Sequence, residues 1–491
     1  MAHFNLTNSY TYVQGEGAEI ALIENFCTHK VSRFVSFYKD KDENIIYASK
    51  YKYLSPKEKL KYRLTTERKE ELYSYFYQNS NSFPTGWLNK ICVSLHNNGF
   101  KTSFSDKRII SKTVESLKDK LPELRYYQKE AVDLAISKER GIIKHPTGSG
   151  KTLVICRLIS ILNLPTLIIV PNLILLEQTA EFLGRYIGIN FVGKVGEGIW
   201  SPNRFTVATA QTLWSRIGNK VTTKLLDDTQ VLIGDECHHI NKNTEHIPNT
   251  WYRIAMRCKS AYYRFGFSAT PGDENSLQRK LLEGITGGII HEVSVKSLVE
   301  EGYLSDAFII MKQIDIELGL KFEKIDKKSW RYVYETGILN NDIRNKAISI
   351  YANEYASRGK SVLIIVDEVE NHADIVKKFI PEAETLVGDD NPQKRDTVLR
   401  EFRERKKRIL ISTLLSEGFD FRGLDVVILA GGKRSHKKTA QRVGRALRTS
   451  DGKLNAVVID FFDKDGGFLQ KHSVDRRKTY EELGFNIKYI G

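Results

Sequence analysis

The sequence predicts an α/β protein: two parallel-sheet units in tandem, at residues 116–298 and 299–491, behind a small α+β accessory module at residues 1–115. Three observations predict it. From about residue 120, short Ile/Val-rich runs alternate with amphipathic helical stretches, as a parallel sheet covered on both faces requires. That alternation starts afresh beyond residues 295–305. The first 115 residues break the pattern and hold 19 of the 51 aromatic residues in under a quarter of the length. With 491 residues, 41% of them hydrophobic, the chain can bury several cores, which excludes wholesale disorder. Lys and Arg number 75 against 60 Asp and Glu, a net charge of +15 that points toward a polyanion partner.

The first module reads as strands at 31–38 and 44–53 and a helix at 57–78, where Leu60, Leu64 and Leu72 recur among polar residues. Lys50 to Lys69 carries eight Lys or Arg against two Glu, beside Tyr47, Tyr51, Tyr53 and Tyr62. Two readings stay open for this stretch: a nucleic-acid grip with base stacking, or a helix with solvated lysines and core-facing tyrosines. In the first sheet unit the candidate strands are 140–144, 166–170, 205–208, 231–234 and 263–267. In the second they are 361–366, 383–387, 408–412, 426–430 and 456–460, with a polar excursion at 318–335. Five scattered cysteines (27, 92, 156, 237 and 258) match neither a disulfide scaffold nor a zinc ribbon and fit a reducing compartment. No run approaches the ~20 apolar residues that span a bilayer, and the N-terminus lacks a signal-peptide pattern. A soluble, cytoplasmic protein is expected.

The most specific local feature is Gly141-Ile-Ile-Lys-His-Pro-Thr-Gly-Ser-Gly-Lys-Thr152, a strand entering a Gly-containing loop before a helix at 153–162. This is the context of a phosphate-binding loop. Pro146, Thr147, Gly148, Ser149 and Gly150 would cradle phosphates through backbone N–H groups and a helix N-terminus. Lys151 would reach the β- and γ-phosphates, and the Thr152 hydroxyl would ligate Mg²⁺. His145 stands where the strict motif has Gly. A second strand ends in Asp235-Glu236-Cys237-His238. Asp235 would hold Mg²⁺, and Glu236 would orient and deprotonate a water. A zinc site built from Cys237, His238, His239, His246 and Cys258 is the competing reading, but its spacing matches no usual ligand pattern.

Together these segments resemble motifs I and II of superfamily 2 helicases, and further segments follow in that family's order. Leu124 to Gln128 resembles the motif whose Gln reads an adenine edge, with Arg125 beside it. Val170-Pro171-Asn172 through Gln178, and Ala208-Thr209-Ala-Gln211-Thr212, resemble the strand-gripping motifs Ia and Ib. Ser268-Ala-Thr270 resembles motif III, Ile364 to Asp367 with His372 motif IV, and Ser412-Thr413 with Glu417-Gly418-Phe-Asp420 motif V. Gln441 to Arg448 resembles motif VI, inside a stretch from Lys433 with seven Lys or Arg and no acid.

The resemblance implies two RecA-like domains hydrolysing ATP with Mg²⁺ as cofactor. It assigns Arg445 and Arg448 as arginine fingers, Gln441 as a third catalytic-cleft residue, and Gly418 and Asp420 to the nucleotide. His238, Ser268 and Thr270 would couple ATP state to nucleic acid, which Pro171, Gln178, Thr209, Gln211, Thr212 and Thr413 would grip. Gly266 to Gly272 and Leu298 to Leu304 are similar to the XPB/UvsW-like branch of DNA helicases. That branch implies a monomeric motor acting on DNA, branched or forked, in replication, recombination or repair. An RNA helicase, an ATP-switched nucleic-acid-binding protein and a restriction-complex motor are the alternatives.

Overall fold

A computed structural model of the chain describes residues 1–39, 45–47, 63–111, 114–118, 120–241, 250–274, 276–316, 330–367, 371–387, 390–413, 424–432, 455–465 and 467–491. Its largest sheet has eight strands. In spatial order they are Ile199–Ser201, Val192–Gly196, Phe205–Thr209, Thr166–Val170, Val231–Asp235, Tyr263–Ser268, Arg140–Lys144 and Ile289–Glu292. All neighbours run parallel except the edge pair Val192–Gly196 and Ile199–Ser201. The alternation of side chains along a strand feeds two cores. Leu167 and Ile169 join one layer of buried side chains, and Ile168 and Val170 the other.

The second sheet has seven strands: Glu384–Leu386, Ile409–Ser412, Val362–Ile365, Val426–Leu429, Asn455–Lys464, Asp306–Asp315 and Asn486–Ile490. Every neighbouring pair is parallel, and it too is sandwiched between two cores. Leu298 and Leu304, at the join, pack into one of them. All ten strands expected of the two units are present. The five that periodicity does not announce are Val192–Gly196, Ile199–Ser201, Ile289–Glu292, Asp306–Asp315 and Asn486–Ile490. All five lie at or beside a sheet edge, where incomplete burial removes the continuous apolar run.

The N-terminal module is mixed α+β. A four-stranded sheet (Ser82–Pro84, Tyr10–Gln14, Ala2–Leu6, Thr102–Asp106) packs with the helices Gly17–Cys27 and Leu88–Asn97. A second sheet pairs Thr28–Lys39 with Arg63–Ser74 in antiparallel register along twelve residues, with Ile45–Tyr47 alongside. This corrects the helix expected over 57–78: from 63 to 74 the chain is a strand. Leu64 and Leu72 are eight residues apart, a spacing that returns to one face under both the helical and the strand period, so local periodicity could not separate them. Residues 50–62 of the basic run lie outside the described residues.

The module is docked on the first sheet unit. Its Phe4, Phe83, Trp87 and Ile91 share one core with Tyr252, Leu281, Leu282 and Ile285. The Trp87 indole N–H donates to the Lys280 carbonyl at 2.8 Å, and Lys90 pairs with Glu283 at 2.7 Å. A Cβ at Gly86 would run into the Glu283 carbonyl, so the close approach requires glycine there. Fully buried Arg264 donates to Ser9 Oγ at 2.7 Å. Among the described residues no helix is long and apolar enough to cross a membrane.

Candidate nucleotide and nucleic-acid sites

Three adjacent strands, Val231–Asp235, Tyr263–Ser268 and Arg140–Lys144, bring their carboxyl ends to one edge of the first sheet. In register Asp235 lies opposite Phe267, and Ser268 opposite Lys144. Residues far apart in sequence therefore meet. The loop after Lys144 turns through Gly148 and Gly150, whose φ angles of +87° and +84° suit glycine. A Cβ on Gly150 would strike the Gln128 amide. The helix Lys151–Leu162 begins directly behind the loop.

Lys151 is only 8% exposed. Its Nζ lies 3.3 Å from Glu236 Oε1 and 3.4 Å from the Pro146 carbonyl. Asp235 is buried, and its Oδ1 accepts the Glu236 N–H at 3.0 Å. Burial and the adjacent Glu236 charge push the Asp235 carboxyl up to about 6. Burial also works to raise Glu236, yet the Lys151 ammonium and His238 hold it well below the usual carboxylate range. Counting histidines as neutral, one ammonium faces two carboxylates in a nearly closed space. Glu236 sits at φ +47°, and its Oε2 lacks a hydrogen-bond partner, although His238 Nδ1 is 3.3 Å away. The same His238 nitrogen is 3.0 Å from Ser268 Oγ, which accepts the Thr270 N–H at 3.0 Å. The structure thus joins His238, Ser268 and Thr270 to Glu236 in one chain of contacts.

Gln128 and Arg125 brace this loop. Gln128 Nε2 and the Tyr127 hydroxyl both donate to the Ser149 carbonyl, at 2.8 and 2.9 Å. Gln128 Oε1 accepts the Arg125 N–H at 3.0 Å. One N–H and one lone pair of the Gln128 amide are thus engaged within the protein, and a second of each remains. The Arg125 guanidinium lies 4.5 Å over the Tyr303 ring, and the Tyr126 hydroxyl donates to Glu301 at 2.7 Å. This segment therefore touches both the phosphate loop and the join between the units. His145, at the motif's variant position, is buried and 2.7 Å from His291. Burial, His291 and Lys151 lower its pKa to about 3.

The expected nucleic-acid residues of the first unit gather on the neighbouring half of the sheet. Pro171 follows the strand Thr166–Val170, and Gln178 lies half-buried on the helix Leu173–Leu183, which Asn172 caps by accepting the Leu175 N–H at 2.9 Å. Thr209 ends the next strand, and its Oγ1 is 2.9 Å from Thr212 Oγ1 on the helix Ala210–Ser215, whose Gln211 is exposed. Four strand spacings, or about 19 Å, separate Phe205–Thr209 from Arg140–Lys144. Thr413 stands apart in the second unit, where its N–H donates to Leu386 O at 3.4 Å. Gly418, Asp420, Gln441, Arg445 and Arg448 lie outside the described residues.

Two contacts had no foreshadowing in the sequence. Gln278 donates to the His238 carbonyl at 2.6 Å from the helix Leu277–Thr286, the helix that also carries the N-terminal module. The Tyr127 contact with Ser149 could have been suspected only from its place beside Gln128.

Residues 121–273 match the family described as the res subunit of type III restriction enzymes, and residues 340–450 match the helicase conserved C-terminal domain. The chain belongs to the superfamily 2 helicases. The helicase is 27% identical to the DNA 3'-5' translocase XPB2 of Sulfurisphaera tokodaii, over 71% of this chain and 83% of that protein. It is 25% identical to the ATP-dependent DNA helicase uvsW of Enterobacteria phage T4, over 82% of this chain and 86% of that one. Among solved structures it resembles Saccharomyces cerevisiae Dbp5 bound to RNA and ADP BeF3, with a TM-score of 0.54 and 17% identity over 74% of this chain and 89% of that one. The two parallel sheets are thus two RecA-like domains, and the helicase is an ATP hydrolase of the superfamily 2 translocase type.

Proposed function

We propose that this helicase is an ATP-driven DNA motor that remodels branched or forked DNA, working as a monomer with 3′-to-5′ polarity. One observation carries the ATP part: a buried ammonium between a buried carboxylate, Asp235, and a half-buried one, Glu236, at the carboxyl edge of the first sheet, behind a glycine-turned loop. The DNA part is supported by the relatives, of which XPB2 is named a DNA 3'-5' translocase and uvsW a DNA helicase.

The charge imbalance around the buried Asp235 and Lys151 fits Mg²⁺ and a nucleotide triphosphate. Thr152 and Asp235 would hold the metal, which when bound supplies charge neutralisation for the phosphates. Backbone N–H groups from Thr147 to Thr152 and Lys151 Nζ bind and orient the phosphate chain. Glu236, 3.3 Å from Lys151 Nζ, would orient the attacking water and accept its proton; its lowered pKa keeps it ionised. Arg445 and Arg448, brought by the second unit, neutralise the transferring group; such fingers are worth roughly 10³ to 10⁵ in rate. His238, between Glu236 and Ser268, passes the state of the site to the neighbouring strands. Phosphate contacts by Pro171, Gln178, Thr209, Gln211, Thr212 and Thr413 position a strand without reading its sequence.

The test is ATPase stimulation by single-stranded DNA, duplex, fork, four-way junction and RNA at one fixed salt concentration. The proposal expects fork or junction to stimulate most. Equal or greater stimulation by RNA would overturn the DNA reading, and equal stimulation by all DNA forms would overturn the branched-substrate reading.

A further inference from the structure

Beyond the expected strand-gripping residues, the face that follows Thr209 carries an arrangement that the helicase motifs do not include. The helix Ala210–Ser215 carries Trp214 in its last turn and is followed by Arg216. The Arg216 guanidinium lies 5.2 Å from the Trp200 ring on the edge strand Ile199–Ser201. From the helix Thr250–Arg257, Arg253 and Arg257 lie 5.2 and 6.0 Å from the Trp214 ring. Among the described residues none of the three guanidiniums has a carboxylate partner. Other arginines near this unit do: Arg279 pairs with Glu283, and Arg108 with Asp106 and Glu139. Arg257 is exposed and Arg216 and Arg253 are half-buried.

A guanidinium held close to an indole ring by cation–π attraction gives up less conformational freedom when its N–H groups meet an anion. Three such groups on two tryptophans form a pre-ordered cationic ledge. It starts on the very helix that carries Gln211 and Thr212 and extends away from the nucleotide edge toward the face shared with the N-terminal module, where Tyr252 of the same helix as Arg253 packs on Tyr75. We propose that Arg216, Arg253 and Arg257, held by Trp200 and Trp214, form a further phosphate-binding site that lengthens the nucleic-acid track past Thr212. The occupant is the sugar–phosphate backbone of the strand the motor holds, since charge complementarity and continuity with the Thr209–Thr212 segment both select it. This inference rests on the nucleic-acid reading above.

The test measures binding of single-stranded DNA of graded length to the full chain across a salt series, for wild type, for R216Q/R253Q/R257Q and for R216K/R253K/R257K. Removing one phosphate-neutralising cation lowers the slope of log K against log[salt] by about 0.7. For long strands the glutamine variant is expected to show a slope smaller by about 2 units, while short strands confined to the Thr209–Thr212 segment bind it as they bind wild type. The lysine variant is expected to keep most of the slope, and ATPase without nucleic acid is expected to be unchanged in both. If wild type binds long strands and the glutamine variant matches its slope, the ledge is overturned and the motor reading stands. A lysine variant whose slope drops as fully as the glutamine one's also overturns it, because charge would then not be what binds. If wild type binds no strand at all, the motor reading and the ledge fall together.

Discussion

Two buried charge clusters, one in each RecA-like unit, are composed in opposite ways. In the second, Arg344 and Arg476 face Asp463 and Asp460, two cations against two anions, all essentially inaccessible to solvent. Arg344 also donates to the Ala430 carbonyl and lies over Phe461, and the Tyr480 hydroxyl donates to Asp460. In the first unit one ammonium, Lys151, faces two carboxylates, Asp235 and Glu236. A balanced buried set holds helices to a sheet and asks nothing of a ligand. An unbalanced one at the carboxyl edge of parallel strands is stabilised when a cation and a polyanion arrive together. The two clusters thus differ in charge balance as well as in place.

The largest effect that would break this contrast is on turnover. Lys151→Ala should cut kcat at least 10²- to 10³-fold (an order-of-magnitude figure for losing one charge-stabilising donor) and weaken ATP binding, read by steady-state ATPase and nucleotide titration. Retained turnover would remove the loop from the chemistry. In the second unit the effect should fall on folding instead. Asp463→Asn leaves Arg344 without its buried partner and should cost about 3 to 5 kcal/mol of stability, seen as a drop in Tm. Nucleotide affinity in the remaining folded protein should stay unchanged. If that variant lost ATP binding while keeping its Tm, the two units would not divide as described.

The smallest effect concerns His145. Its folded pKa is lowered to about 3, while an unfolded histidine titrates near 6.5. The unfolded chain therefore binds the extra proton first, and stability falls as pH drops below about 6.5 and continues to fall toward 3. Between pH 7 and pH 5 the His145 contribution should shrink by roughly 2 kcal/mol. Comparing urea midpoints of wild type and His145→Asn at the two pH values checks it, the variant being less sensitive to acid.

Much of this was legible because local chemistry and fold agree. A run such as Thr166-Leu-Ile-Ile-Val170 has only one comfortable home, a strand buried on both faces. The loop from Pro146 to Thr152 demands glycine where the backbone turns. Legibility failed where meaning is set at a distance. The strand Arg63–Ser74 is rich in Glu, Lys and Arg, good helix formers, and becomes a strand through its twelve-residue pairing with Thr28–Lys39. Gln278 reaches the His238 carbonyl from forty residues away, and no local pattern announces such a contact. Gln128 was legible as part of the site, but its partner, the Ser149 carbonyl, was not.

The central claim is that the unbalanced carboxylate pair of the first unit performs ATP hydrolysis. Glu236→Gln tests it most directly, with ATP affinity and forked-DNA-stimulated ATPase measured on the same preparation. ATP binding should stay within a few-fold of wild type while turnover falls by about 10²- to 10⁴-fold, the range for losing a positioned base. Turnover near the wild-type rate with intact binding would contradict it.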